Sequence, residues 1–220
     1  MSSELWSMIP KKWLFSLGFA CLMLIFSIAT AFLPWWRIYS SREGEIDTNT
    51  AIRVEYNLLG SITSSKITTV ENESISTTIS ISELNATEDN KNALQSLFNI
   101  LWYLTIAGSG LNILILVLVC VSNVQLLSLH KYIKYLTVIT AILFFVAFLY
   151  FASEAQPNIS KLQRIAPTEV HTLLGSQIQS LFGTTDSLIY GPSLGWYLAL
   201  VVSLLNVSFY MLIEKIEKMS

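Results

Sequence analysis

The chain has 220 residues, of which 53% are apolar and only 13% charged, with a formal net charge of −2. Ordinary soluble domains carry about 25% charged residues, so this composition excludes a typical soluble domain. The slightly acidic balance offers no basic surface for nucleic acid, and none is expected as a partner.

Residues 1–12 end in Lys11 and Lys12 and are followed by a charge-free stretch over 13–36. Lys11-Lys12, an apolar run and Ala29-Thr30-Ala31 together resemble a secretory signal with its cleavage site. The apolar run continues through Phe32, Leu33, Pro34, Trp35 and Trp36, however, which suits a membrane exit better than a mature terminus. Residues 13–36 are therefore read as a first membrane span. Three more charge-free stretches, 97–121, 135–152 and 194–213, reach the length a helix needs to cross the hydrocarbon core. Because lipid cannot hydrogen-bond to backbone, each should be helical.

Between the first two spans, residues 37–96 form a long loop. Ile46, Thr48, Thr50, Ile52, Val54, Tyr56 and Leu58 hold one parity, the period of a strand with one buried face. Leu59-Gly60-Ser61 offers a turn, 62–70 is rich in Thr, Ser and Ile, and Glu71-Asn72-Glu73 offers a second turn. Ile75, Thr77, Ile79 and Ile81 then alternate again, so a three-stranded meander is expected. A disordered, glycosylated stalk is the alternative for such Ser/Thr-rich sequence; the isoleucine alternation and lack of proline oppose it. Thr87 followed by Glu88 and Asp89 marks a helix start that runs on into the second span.

A short turn, 122–134, leads to the third span and carries His130, Lys131 and Lys134. The loop 153–193 contains Ala166-Pro167 and then Val170, Leu173, Leu174, Ile178, Leu181 and Phe182 at helical spacing, an amphipathic helix. Gly183, Gly191, Pro192 and Gly195 bring the chain into the fourth span, and residues 214–220 follow it.

The short segments 1–12, 122–134 and 214–220 share one side and hold Lys11, Lys12, Lys131, Lys134, Lys215 and Lys218 near helix ends. The long loops have more acidic than basic residues. By the positive-inside rule both termini are cytoplasmic, and 37–96 and 153–193 are outside a cell membrane. Trp35, Trp36, Trp102, Trp196, Tyr150 and Tyr197 fall at the outer boundary, as interfacial aromatics do. Cys21 and Cys120 both lie in spans, so the outer loops have no disulfide available; acylation of Cys120 is one reading and a lipid-facing thiol the blander one. Asn72-Glu73-Ser74, Asn85-Ala86-Thr87 and Asn158-Ile159-Ser160 are candidate glycosylation sequons outside.

Chemistry is sparse. The spans contain no Asp, Glu, Lys, Arg or His, which opposes a proton-coupled pump or ion transporter. Asn112 and Asn206 sit mid-span, where hydrogen bonding to neighbouring helices explains them better than a substrate site does. His130 and His171 have no partner at metal-ligand spacing, and there is no phosphate loop or nucleophile elbow. No catalytic residue, cofactor or metal site is expected, and the chain is not read as an enzyme.

The layout resembles the claudin and tetraspanin-like four-span proteins: inside termini, a large β-rich first outer loop, a smaller second loop and a short inner turn. Trp35-Trp36 and Gly195-Trp196-Tyr197 add to the likeness; the paired-Cys and Cys-Cys-Gly motifs of those families are absent. The expected fold is thus a membrane all-α four-helix bundle with a small β-rich extracellular domain formed by the first outer loop. The expected function is non-catalytic protein–protein assembly, adhesion or membrane organisation, with membrane lipids and other membrane proteins, or the chain itself, as partners. The alternative is an accessory subunit of a larger membrane enzyme or transport complex.

Overall fold

A computed structural model describes residues 11–43, 49–68, 73–80, 88–125, 129–162, 182–185 and 188–218, and the chain is mostly helical. The elements are α1 (Lys11–Phe32), β1 (Trp36–Glu43), β2 (Asn49–Tyr56), β3 (Ser61–Thr68), β4 (Glu73–Ser80) and α2 (Glu88–Gln125), then α3 (His130–Leu162), β5 (Gly183–Thr185), β6 (Leu188–Pro192) and α4 (Leu194–Glu217). Among the described residues four segments are long and apolar enough to cross a membrane: Leu14–Phe32, Asn92–Ser122, His130–Ala155 and Leu194–Glu217. That is the pattern of a multi-pass membrane protein. The chain packs as two compact units and passes between them at Ala31/Phe32, Trp102/Tyr103, Ala147/Phe148 and Tyr197/Leu198.

In the helical unit one core joins Met23 of α1, Ile115 and Val119 of α2, Ile133 of α3, and Phe209 and Ile213 of α4. Phe19 stacks on Phe209 with centroids 5.6 Å apart. The outward faces are apolar as well, with Ile25, Ile113, Ile142 and Leu204 exposed. Helices apolar on every side need an apolar surround, which a bilayer supplies. Gly108 lets α2 and α3 approach: a Cβ there would stand 2.5 Å from the Phe144 ring.

The small polar residues of the spans mostly satisfy themselves. Thr137, Thr140 and Ser109 donate to the carbonyls of Ile133, Leu136 and Thr105, four residues back on their own helices. Asn206 likewise donates to Val202 at 2.9 Å, so its amide does not bridge helices as expected. Ser203 does bridge, donating to the Ala141 carbonyl at 2.9 Å.

Among the described residues the other unit is built on a six-stranded sheet in the order β4-β3-β2-β1-β6-β5, antiparallel throughout. The expected meander is β2-β3-β4. Asn57, Leu58, Leu59 and Gly60 close the first hairpin: the Gly60 N–H donates to Asn57 at 3.1 Å and Gly60 adopts φ 74°, the left-handed conformation glycine tolerates. One sheet face buries Trp36, Ile38, Val54, Tyr56 and Tyr190. Ile38 faces Val54 on one side and Tyr190 on the other. Trp35 and Trp36 both pack on Phe151, at 5.5 and 6.2 Å between centroids. Leu94, Leu97, Phe98 and Leu101 bury one face of α2 at helical spacing. Burial also pushes the Tyr56 phenol far above its ordinary pKa, because the anion would be poorly solvated there.

Several expectations need correction. The sheet is not formed by the first loop alone, since β5 and β6 come from the second and extend it past β1. Trp36, assigned to the first span, opens β1; α1 stops at Phe32 because Leu33 precedes Pro34, and a residue before proline disfavours the helical region. Trp35 and Trp36 are 0% and 1% exposed, so they are core residues of the sheet unit rather than interfacial anchors. The third helix continues to Leu162, past residue 152 where the charge-free stretch ends. The Glu88 start of α2 and its uninterrupted run agree with the reading. Ile46, Thr48, residues 69–72, Ile81, Thr87 and all of the 166–182 stretch except Phe182 lie outside the described residues.

Candidate functional site

The open face of the sheet is set by strand parity. Residues alternating with the buried set are Arg37 and Tyr39 on β1, Arg53 and Glu55 on β2, and Ile189 and Gly191 on β6. The register places Arg37 between Glu55 and Gly191, and Tyr39 between Arg53 and Ile189. Tyr39 and Ile189 are 40% and 55% exposed, and the neighbouring Phe182 is 51% exposed. Large apolar side chains on a sheet face, grouped around two arginines, form a patch that a partner surface could cover.

Two clefts of about 440 and 450 Å³ adjoin on this face. Both are lined by Arg37, Arg53, Pro192 and Tyr197. The first continues along Leu33, Pro34 and Leu194, and the second along Tyr39, Phe182 and Ile189. The walls of the first are pinned by backbone: the Ser193 N–H donates to Trp35 at 2.8 Å and the Gly195 N–H donates to Pro34 at 2.9 Å. Gly195 has to be glycine here, because a Cβ would stand 2.8 Å from the Leu33 carbonyl and 2.6 Å from the Trp35 ring.

Charge on this face is partly compensated. The Arg53 guanidinium pairs with the Glu55 carboxylate, its Nε donating at 3.0 Å. Arg37 makes no ion pair among the described residues, although Glu55 stands opposite it in register. Arg37, Arg53 and Glu55 together carry a formal charge of one positive unit.

In the helical unit Lys134 pairs with Glu217 and joins α3 to α4. Lys218 donates to Glu214 at 2.8 Å, and this hydrogen bond holds its ammonium above the ordinary lysine pKa. Such exposed pairs orient helix ends more than they stabilise them.

Of the candidate sequons, Asn158 lies within α3, where its Nδ2 donates to the Glu154 carbonyl at 2.8 Å. Asn72 and Asn85 fall outside the described residues, as does His171. Cys21 is half-buried and Cys120 exposed on the helix surface. Among the described residues no group of three His, Cys, Asp or Glu could hold a metal ion.

Sequence reasoning placed function in the long loops without singling out Arg37 or Ile189, and it read Tyr197 as an interfacial aromatic. The signal was weak: Trp36-Arg37-Ile38-Tyr39 alternates over only four residues before turning polar, and β6 is broken by Gly191 and Pro192. No protein-family model matches the chain, and no curated protein matches it.

Proposed function

We propose that this is a non-catalytic cell-surface membrane protein that works in assembly, adhesion or membrane organisation by docking another membrane protein, or a second copy of itself, on its sheet. The observation that carries the reading is the exposed cluster of Tyr39, Phe182 and Ile189 beside Arg37 and Arg53 on one sheet face. Aromatic residues and arginine are the types that dominate interface energetics when a partner desolvates them. The lysine distribution favours placing this face outside the cell. The four-span layout, similar to claudins and tetraspanins, supports the same class of activity.

Two experiments test it. Purification in mild detergent should recover a self-assembled or stoichiometric complex, and Tyr39→Asp with Ile189→Asp should dissolve it while the sheet stays protease-resistant. With Cys21 and Cys120 replaced by Ala, Thr78→Cys should label with an impermeant thiol reagent on intact cells, whereas Lys218→Cys should label only after permeabilisation. A complex indifferent to the sheet mutations would move the docking surface elsewhere. A stoichiometric enzyme or transporter in the complex would favour the accessory-subunit reading.

A further inference from the structure

The first cleft shares Arg37 and Arg53 with the docking face but is walled on another side by Leu33, Pro34 and Leu194. Its basic end is Arg37 and Arg53, which are diagonal neighbours on adjacent strands of one sheet face. Its other end is apolar: Leu33 and Pro34, just past the end of α1, and Leu194, the first residue of α4. Tyr197 and Glu55 also line the cleft. Gly191, opposite Arg37 in register, contributes no side chain to crowd the guanidinium.

A site with arginine forks at one end and aliphatic side chains at the other selects an amphiphile with an anionic head. Guanidinium groups bind phosphate oxygens through paired N–H donors, with more geometric selectivity than an ammonium provides. Arg53 pairs with Glu55, and the two arginines and one carboxylate of the lining leave a formal charge of one positive unit. That matches a phosphodiester, which carries one negative charge, better than a phosphomonoester, which carries nearly two at neutral pH. The apolar end is contributed where two membrane-length helices begin and end. Lipid chains are the apolar groups available there.

We propose that this cleft binds an anionic phosphodiester lipid, with the phosphate held by Arg37 and Arg53 and the acyl chains lying along Leu33, Pro34 and Leu194. The assignment does not depend on the docking reading, and its test does not measure assembly. The 220-residue chain in a neutral maltoside detergent is titrated with dihexanoyl phosphatidylglycerol, with dihexanoylglycerol, which lacks the phosphate, and with inorganic phosphate. Apparent affinity is read by native mass spectrometry and by the shift in Tm. Saturable one-to-one binding of the phosphatidylglycerol is expected, with both other probes at least tenfold weaker. Arg37→Gln should weaken it at least tenfold and Arg37→Lys less, while Lys66→Gln on β3 removes the same formal charge from the sheet and should leave it unchanged. Equal loss in Arg37→Gln and Lys66→Gln would reduce the effect to general charge attraction and overturn the site. Inorganic phosphate binding as tightly as the lipid would overturn the lipid assignment in favour of a free anion. Wild-type affinity in Arg37→Gln would overturn the proposal outright. Should Arg37→Gln lose the protease resistance of the sheet, Arg53→Gln is the second variant: it leaves Glu55 uncompensated in the cleft, and undiminished binding there overturns the proposal equally.

Discussion

The indole of Trp196 lies nearly flat on the ring of Phe148, centroids 4.3 Å apart, and its Nε1 donates to the backbone carbonyl of that same Phe148 at 3.0 Å. One side chain thereby fixes the first turn of α4 to α3 through both stacking and a directed hydrogen bond. Trp196 is also in edge contact with Phe182, the residue that enters β5.

Trp196→Phe keeps most of the ring contact and removes the hydrogen bond, so it should destabilise the sheet unit by about 1 kcal/mol. Trp196→Ala removes both and should destabilise it by about 3–5 kcal/mol. Thermal unfolding in detergent, followed by protease resistance of the sheet, separates the two. Similar losses in both variants would mean that the stacking contributes little.

The two glycines Gly195 and Gly110 should respond oppositely to alanine. At Gly195 a Cβ meets the Leu33 carbonyl, a backbone atom that cannot rotate away, and the expected loss is about 1–3 kcal/mol. Around Gly110 there is nothing within 4 Å, so Gly110→Ala should be neutral or stabilising by up to about 1 kcal/mol. Melting temperatures of the pair decide it; tolerance at Gly195 would show that the α4 entry can move.

Strand parity is tested at neighbouring positions of β2. Val54 is 1% exposed, and Val54→Asp places an unpaired charge in the buried face, which should cost about 3 kcal/mol or more and abolish protease resistance. Arg53→Gln, on the open face, should cost no more than about 1 kcal/mol. Equal sensitivity would put the register in error.

Asn112 is fully buried, and neither its Oδ1 nor its Nδ2 has a hydrogen-bond partner among the described residues. Burying an unpaired amide costs about 1–3 kcal/mol, so Asn112→Leu should raise stability by a similar amount if the group is purely structural. Asn206→Leu removes a bond to its own helix and should change stability by less than about 1 kcal/mol. A destabilised Asn112→Leu would instead point to a bound water or ligand at mid-helix.

The sequence alone determined the four apolar helices, because a charge-free stretch of membrane length leaves a chain in lipid no other way to satisfy its backbone. It also determined the β2-β3-β4 meander and the parity of β2: Val54, Tyr56 and Leu58 are all buried, as their alternation requires. These are local signals, written in consecutive residues. Only the tertiary structure decided that β6 of the second loop pairs with β1 directly after the first helix. No local pattern encodes that partnership, since the two segments are about 150 residues apart and β6 contains the Gly191 and Pro192 that read as breakers. The site follows from that pairing. Arg37, Arg53 and Tyr197 come from three separate stretches and share a cleft only because the sheet closes across them.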